Sequence, residues 1–189
     1  SAEQRQALSD LSFLVTTALD ARKRSLDLER MASTDHLTGI ANRARFEASL
    51  QAELARARRT GTPVSLICLD LNGFKEVNDT HGHSAGDEVL VEVTRRIQQL
   101  VREGDTFARL GGDEFAIVIQ NARDNAVQSL LSRIAPTVAK PIQLSGGNRV
   151  QVTTSVGVAT TVEEDLSGDN LLARADADLY RDKNSRGVG

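Results

Sequence analysis

Two carboxylates at the ends of apolar runs give the clearest chemical signal in this sequence of 189 residues. Asp70 follows the strand-like run 64–69, and Asp113 lies in the turn between two later apolar runs. If these strands are neighbours, the carboxylates converge at one end of a sheet, where they suit Mg²⁺ and metal-assisted phosphoryl or nucleotidyl transfer. Spacing alone supports a second interpretation equally well, in which Asp70 caps a turn and Asp113-Glu114 is a solvated hairpin tip.

Glycines and polar residues around these acids favour the functional interpretation. Gly111 and Gly112 permit positive φ and leave room for a ligand near the backbone. The segment 72–75, Asn-Gly-Phe-Lys, offers backbone N–H groups and an ammonium group to a phosphate. Further along, Asn78 and Asp87 could read a base edge. A carboxylate accepts from the N1–H and amino group of guanine, whereas adenine has no such donor pair.

Three other residues could support different chemistry. His81 and His83 lie near acids and suggest zinc, but two histidines without a cysteine are too few for a closed structural site. Cys68 is the one cysteine of the sequence and cannot form an intramolecular disulfide. Its apolar run predicts a buried structural thiol in a reducing compartment rather than a catalytic nucleophile.

The positions of these residues depend on an alternating series of helices and strands. A helix is predicted to begin at the capping residue Asn42, with Phe46, Leu50 and Leu54 on one face. A polar, glycine-bearing loop is predicted over 71–87. The remaining predictions are helices over 88–102, 124–139 and 169–183, a buried strand over 64–70, and hairpins formed by 106–110 with 115–120 and by 141–144 with 149–159. The predicted class is α+β, with helices on an antiparallel sheet.

Composition excludes several classes of protein. The chain is 40% hydrophobic and 26% charged, which is enough apolar material for a folded core. Its 23 basic and 26 acidic residues give a net charge of -3, so it lacks the basic field that nucleic acid or an anionic membrane requires. No apolar run approaches the roughly 20 residues of a membrane span. We therefore expect no nucleic-acid partner and no membrane contact.

The N-terminal segment predicts a long amphipathic helix over 4–31, interrupted at Arg22. Its apolar positions are Leu8, Leu11, Val15, Leu19 and Leu26. One interpretation is a helix that folds onto the domain, and the other, which we favour, is a coiled-coil connector from an upstream module. The predicted boundaries are therefore a helical linker over 1–31 and a compact domain over 32–189.

Four motifs in this order resemble the GGDEF family, the diguanylate cyclases of bacterial signalling. They are DHLTGIANR at 35–43, the run from Asp70 to Asp87, GGDEF at 111–115 and SVGVA at 155–159. The resemblance covers about residues 33 to 184. It implies a ferredoxin-like fold related to class III nucleotide cyclases and polymerase palms. The implied reaction is nucleotidyl transfer that converts two GTP into cyclic di-GMP and two pyrophosphates.

The resemblance also implies the residues of a metal and catalytic centre. Its implied cofactor is Mg²⁺, which Mn²⁺ could replace. The implied metal ligands are Asp70, the Leu71 carbonyl, Asp113 and Glu114, and the implied catalytic residues are Asp113, Glu114, Arg109 and Lys75. Glu114 is either a second-metal ligand or the base for the attacking 3′-hydroxyl. Arg109 could steady the charge that develops on the attacked phosphate. Its alternative is a surface strand arginine.

GTP contacts and an inhibitory site follow from the same resemblance. The implied GTP contacts are Asn78 and Asp87 on guanine, Phe74 and Lys75 along the triphosphate, and Lys183 and Arg186 on phosphates. The C-terminus departs from the family pattern, because Arg186 stands one position early. Arg102 and Asp105 resemble the RxxD site at which the product inhibits these enzymes, since arginine can grip the Hoogsteen edge of guanine.

A product with two-fold symmetry implies two active sites face to face, and therefore a homodimer. We expect the N-terminal helix to pair two chains and an upstream sensor to set their orientation. We also expect the protein to reside in the bacterial cytoplasm, since its single cysteine indicates a reducing compartment. The main alternative is a non-catalytic receptor for GTP or cyclic di-GMP, and a third is a dimerising scaffold. The intact acids argue against both.

Overall fold

The computed structural model describes residues 32–120, 124–162 and 165–185, together with Thr17 and Leu19. The predicted N-terminal helix and Arg186 lie outside the described residues. The helices are α1 Arg43–Thr60, α2 Phe74–His81, α3 His83–Gln98, α4 Asp124–Val138 and α5 Gly168–Ser185. The strands are β1 Ser65–Asn72, β2 Thr106–Gly111, β3 Glu114–Ile119, β4 Ile142–Gln143, β5 Arg149–Val150 and β6 Thr153–Thr160. Within this described part, no helix is both long and apolar enough to cross a membrane.

A four-stranded antiparallel sheet in the order β2-β3-β1-β6 forms the centre of the molecule. Side chains of β1 are buried on both faces, so its residues alternate between two cores. Leu66 and Cys68 pack with α1 and α5, whereas Ile67 and Leu69 pack with α3 and α4. The predicted α+β class with an antiparallel sheet is confirmed.

The segment 71–87 is not the loop that the sequence predicted. It contains α2 and the first turn of α3, and α3 ends at Gln98 rather than at residue 102. Gly73 and Gly82 have φ of 82° and 84° and lie at the helix boundaries, where positive φ is required. The polar composition concealed α2 because that helix buries Val77 alone.

The predicted second hairpin is also partly wrong. Strands β4 and β5 do form a two-stranded sheet, with Ile142 opposite Val150. The chain then leaves this hairpin, and β6 joins the main sheet beside β1. The single strand predicted over 149–159 is therefore divided between two sheets. Which strand it pairs with is decided by contacts distant in sequence, which periodicity does not report.

Helix α1 confirms its predicted start and its buried face. The Asn42 side chain accepts a hydrogen bond from the Arg45 backbone N–H at 3.0 Å, as an N-cap does. Phe46, Leu50 and Leu54 are buried against the sheet. The helix ends at Gly61, which has a φ of 67°.

Helix α5 packs closely along β6, the strand at one edge of the sheet. Gly157 has no side chain where the backbone of α5 passes, at Ala175 and Leu179. On either side of it, the backbone N–H groups of Val156 and Val158 donate to the carboxylates of Asp182 and Asp178, both at 2.9 Å. These carboxylates satisfy an edge that would otherwise be open to another strand.

We predict that Gly157→Ala destabilises the domain by about 3 kcal/mol, near the upper end for overpacking. The added Cβ would overlap the Ala175 carbonyl oxygen and the Leu179 backbone nitrogen, and backbone cannot move aside as a side chain can. The free energy of unfolding in urea measures this change.

Gly146→Ala is the matched control for this prediction. No atom lies within 4 Å of the Cβ that it adds, so its unfolding free energy should stay within about 0.5 kcal/mol of the parent. Equal stability of the two variants would contradict the close packing of α5 on β6.

Candidate functional site

The predicted acids converge at one end of the central sheet. Asp70 near the end of β1 lies directly opposite Glu114 at the start of β3. Both lie on the face of the sheet that packs against α1 and α5, two residues from Cys68 and Ala116 respectively. Asp113 precedes Glu114 in the turn, and its carbonyl accepts the Leu71 backbone N–H at 3.3 Å. The condition on which the predicted convergence depended, that β1 and β3 are neighbours, is confirmed.

The charges at this edge influence one another. Burial and the neighbouring Asp70 carboxylate both raise the pKa of Asp113 above its ordinary value. Lys183 of α5 places its Nζ 2.8 Å from Asp70 Oδ2, and both side chains are at least partly shielded from solvent. The edge therefore holds closely spaced negative charges, and among the described residues Lys183 is the cation that forms an ion pair with them.

This donor set fits Mg²⁺. The ion takes hard oxygen ligands and usually keeps waters beside one or two protein carboxylates. Asp70 and Asp113 supply carboxylates, and their mutual repulsion, which adds to the effect of burial in raising the pKa of Asp113, is one that a bound cation would relieve. Within the described residues, no group of three or more His, Cys, Asp or Glu side chains is placed to hold a metal ion together, so the exposed His81 and His83 gain no third ligand.

A cavity of about 310 Å³ opens beside these acids, between the sheet and the helices α1 and α5. Asp70, Glu114 and Lys183 lie in its wall. Sequence reasoning did not place the other members of the wall at the site, and they come from the four elements α1, β1, β2 and α5: Arg43, Cys68, Leu69, Leu110, Leu172, Asp176, Leu179 and Tyr180. Arg43 ends the 35–43 motif, but neither that motif nor the spacing of the other residues indicated a common cavity, because only tertiary packing brings α1 and α5 to this edge.

Cys68 is a buried structural thiol, as predicted. Its burial, followed by the charge and hydrogen bond of Asp176, raises the pKa of the thiol to about 12. A thiol with that pKa stays protonated near neutral pH and is a poor nucleophile.

Arg109 braces the turn that contains Asp113. Its Nε donates to the Gly112 carbonyl at 2.9 Å, and its Nη1 lies 3.2 Å from both carboxylate oxygens of Asp35. Although burial opposes ionisation of Asp35, hydrogen bonds from Thr38 and the charge of Arg109 hold its pKa below the ordinary value. The Arg109 side chain is 13% exposed. These contacts favour positioning of the turn, and direct contact of Arg109 with a phosphate stays a prediction.

Asn78 and Asp87 lie on neighbouring helices, α2 and α3, which meet at Gly82. Asn78 is half-buried and Asp87 is exposed. The Asn78 side chain lies against the Cα of Gly86, in space that any larger residue would fill. The structure therefore places the Asn78 amide against Gly86, the residue before Asp87, and the missing side chain of Gly86 makes this close approach possible.

The N-terminus of α2 lies directly after β1. Gly73 precedes it in the left-handed conformation, with no side-chain cap on the first N–H groups. Phe74 begins the helix and packs partly against the core, whereas Lys75 is exposed. Uncapped N–H groups at a helix N-terminus favour an anion.

Arg102 and Asp105 form a tight turn at the opposite end of β2, where the Asp105 N–H donates to the Arg102 carbonyl at 3.2 Å. Burial raises the pKa of Asp105, whose carboxylate accepts the Gln120 N–H at 3.1 Å. Both residues line a second cavity of about 390 Å³, together with Arg45 and Gln98.

Comparison with known proteins gives a consistent result. Residues 32–187 match the family model described as "Diguanylate cyclase, GGDEF domain". The chain is 38% identical over 188 residues to an uncharacterized signaling protein of Caulobacter vibrioides, covering 97% of this chain and 23% of that protein. It is 35% identical over 171 residues to the diguanylate cyclase DgcN of Escherichia coli K12, covering 89% and 41%. The chain thus spans less than half the length of these relatives.

A solved structure resembles most of the chain. The coiled coil and GGDEF domain of DgcB from Caulobacter crescentus, in complex with c-di-GMP, match with a TM-score of 0.87 and 31% identity. The match covers 95% of this chain and 94% of that one.

Proposed function

This chain belongs to the GGDEF family of diguanylate cyclases, and from that premise we propose that it condenses two GTP into cyclic di-GMP and two pyrophosphates. One observation supports the proposal above others. Asp70 and Glu114 lie opposite each other in the sheet, with Asp113 in the adjoining turn. Carboxylates gathered at one edge suit metal-assisted nucleotidyl transfer and have no evident use in a scaffold.

In the proposed reaction, the 3′-hydroxyl of one GTP attacks the α-phosphorus of the other. A new O–P bond forms, the bond to the bridging oxygen breaks, and pyrophosphate leaves. Asp70, Asp113, Glu114 and the Leu71 carbonyl would hold Mg²⁺ or Mn²⁺, which when bound supplies charge neutralisation at the reacting phosphate. Glu114 is exposed at the mouth of the cavity, where it could instead accept the proton of the hydroxyl.

The rest of the bound GTP, its guanine and its triphosphate, would lie across α2. Asn78 and Asp87 would bind the guanine edge, and the N–H groups at the start of α2, with the Lys75 ammonium, would meet the triphosphate. The Lys183 ammonium already forms an ion pair with Asp70. When a phosphate binds, this ammonium would either move to it or contact both the phosphate and Asp70. Arg186, outside the described residues, stays a predicted phosphate contact.

Two such domains must face each other to close the two phosphodiester bonds. We propose that residues 1–31 pair two chains, that a sensor preceding them sets their orientation, and that residues 32–189 form the catalytic domain. The apolar spacing from Leu8 to Leu26 supports this, as does the match to DgcB, whose solved structure includes a coiled coil.

We also propose that cyclic di-GMP inhibits the enzyme at Arg102 and Asp105. The cavity at these residues is polar, is separate from the carboxylate edge and presents the Arg102 guanidinium to solvent. That geometry suits a second guanine nucleotide.

The proposal predicts that the chain, incubated at high concentration with GTP and Mg²⁺, produces cyclic di-GMP identifiable by mass spectrometry. Asp113→Ala should lower the rate at least about 100-fold, the loss typical of one transition-state electrostatic contact. Glu47→Ala, which removes an exposed acid of α1, should match the parent. No product from the parent, with tight binding of GTP or cyclic di-GMP, would favour the receptor alternative.

Gly86→Ala tests the guanine contacts. The new methyl group would overlap Asn78 Oδ1 and displace that amide, so KM for GTP should rise roughly tenfold, the value of about one lost hydrogen bond. Ala is also the better helix former by about 1 kcal/mol, so thermal unfolding should not show a large loss. Ser84→Ala, at an exposed position in the same turn of α3, is the control. An unchanged KM would remove Asn78 from the site.

Arg102→Ala tests product inhibition. The concentration of cyclic di-GMP that halves the initial rate should rise at least about tenfold, because a bidentate arginine contact with guanine contributes about 1–3 kcal/mol. Each rate is compared with the same variant's own uninhibited rate. Arg59→Ala, an exposed arginine at the end of α1, should keep the parent value, and inhibition that survives in Arg102→Ala would contradict the assignment.

A further inference from the structure

We propose that Arg43 binds the pyrophosphate end of the nucleotide, that is, its β- and γ-phosphates. This role rests on the proposed function and adds a residue from α1 to the site. Arg43 lines the same cavity of about 310 Å³ as Asp70, Glu114 and Lys183. It is a cation in a wall that also presents three carboxylates, the third belonging to Asp176.

The backbone holds Arg43 in a defined direction. It is the first residue of α1, directly after the capping Asn42. Its Nε donates to the Leu110 carbonyl at 3.2 Å, and Leu110 comes just before the two glycines of the turn that contains Asp113. One donor of the guanidinium is thus used to orient the group against the hairpin.

The other donors of Arg43 are available. Among the described residues, no hydrogen-bond or ion-pair partner is found for its two Nη groups, and the side chain is exposed. Lys183, the second cation in the cavity wall, is already 2.8 Å from Asp70. Of the two cations in this wall, Arg43 is therefore the one for which the described part of the chain offers no carboxylate within 4 Å.

The chemistry of the reaction requires such a cation. The reacting phosphate belongs at the carboxylate edge, and the other two phosphates leave together as pyrophosphate with additional negative charge. A planar guanidinium can donate two parallel hydrogen bonds to phosphate oxygens, which a lysine ammonium cannot match in geometry. The position of Arg43, beside the acids but on a separate element, suits this leaving group.

The test measures nucleotide binding without turnover. Calorimetry with Mg²⁺ gives the affinity for a GTP analogue with a methylene group between the α- and β-phosphorus, and NMR chemical shifts follow the weaker binding of GMP. Arg43→Gln should weaken binding of the analogue roughly tenfold, as expected for a charged hydrogen bond near solvent, and leave binding of GMP unchanged. The affinity of Arg43→Lys for the analogue should fall between those of the parent and Arg43→Gln, because lysine keeps the charge but cannot donate two parallel hydrogen bonds.

Arg59→Gln is the matched control, since it removes an exposed arginine from the other end of the same helix. Thermal unfolding of each variant reports whether the Leu110 contact affects stability. Equal loss of analogue and GMP binding would mean that Arg43 only positions the hairpin, and unchanged binding of both would exclude any role. Either result overturns the inference while leaving the proposed function intact. A parent chain that binds neither nucleotide would instead overturn the proposed function itself.

Discussion

The antiparallel register between β1 and β3 is the constraint on which the site depends. Because both faces of the central strands are buried, polarity alone does not specify this register. Side-chain volume does: Cys68 and Ala116 face the helices α1 and α5, and Leu69, Phe115 and other large residues face α3 and α4. A slip by one residue would exchange the two sets and turn the acids to the wrong face. The packing of the core thus fixes the position of the chemistry.

The edge strand β6 determines where the last helix lies. Two residues along a strand advance by about 6.8 Å and four residues along a helix by about 6.0 Å. Asp178 and Asp182 therefore match the spacing of the Val156 and Val158 N–H groups. Gly157 between these valines lets the helix backbone approach. The same contact delivers Lys183, one residue after Asp182, to the carboxylate of Asp70.

The start of the domain contacts β2, the strand that leads into the turn at 111–113, on the side away from β1. The segment around Ala41 forms a short bridge with β2 at Ala108, and Asp35 holds the Arg109 side chain that braces Gly112. The Asn42 side chain also donates to the Ala32 carbonyl, where the described domain begins. The start of the domain is therefore joined to the turn at 111–113 through a few short polar contacts.

The sequence alone determined those features that depend on local chemistry. The cap at Asn42, the turn at 111–113 and the strand that ends near Asp70 could be predicted because each uses residues adjacent in the chain. Helix α2 could not be predicted, because it is mostly polar and buries a single residue. The pairing of β6 with β1 in the main sheet could not be predicted either. Only the tertiary structure decided that Arg43, Asp176 and Tyr180 share a cavity with Asp70. Such contacts join distant elements through packing of the core, and periodicity in a single sequence describes one element at a time.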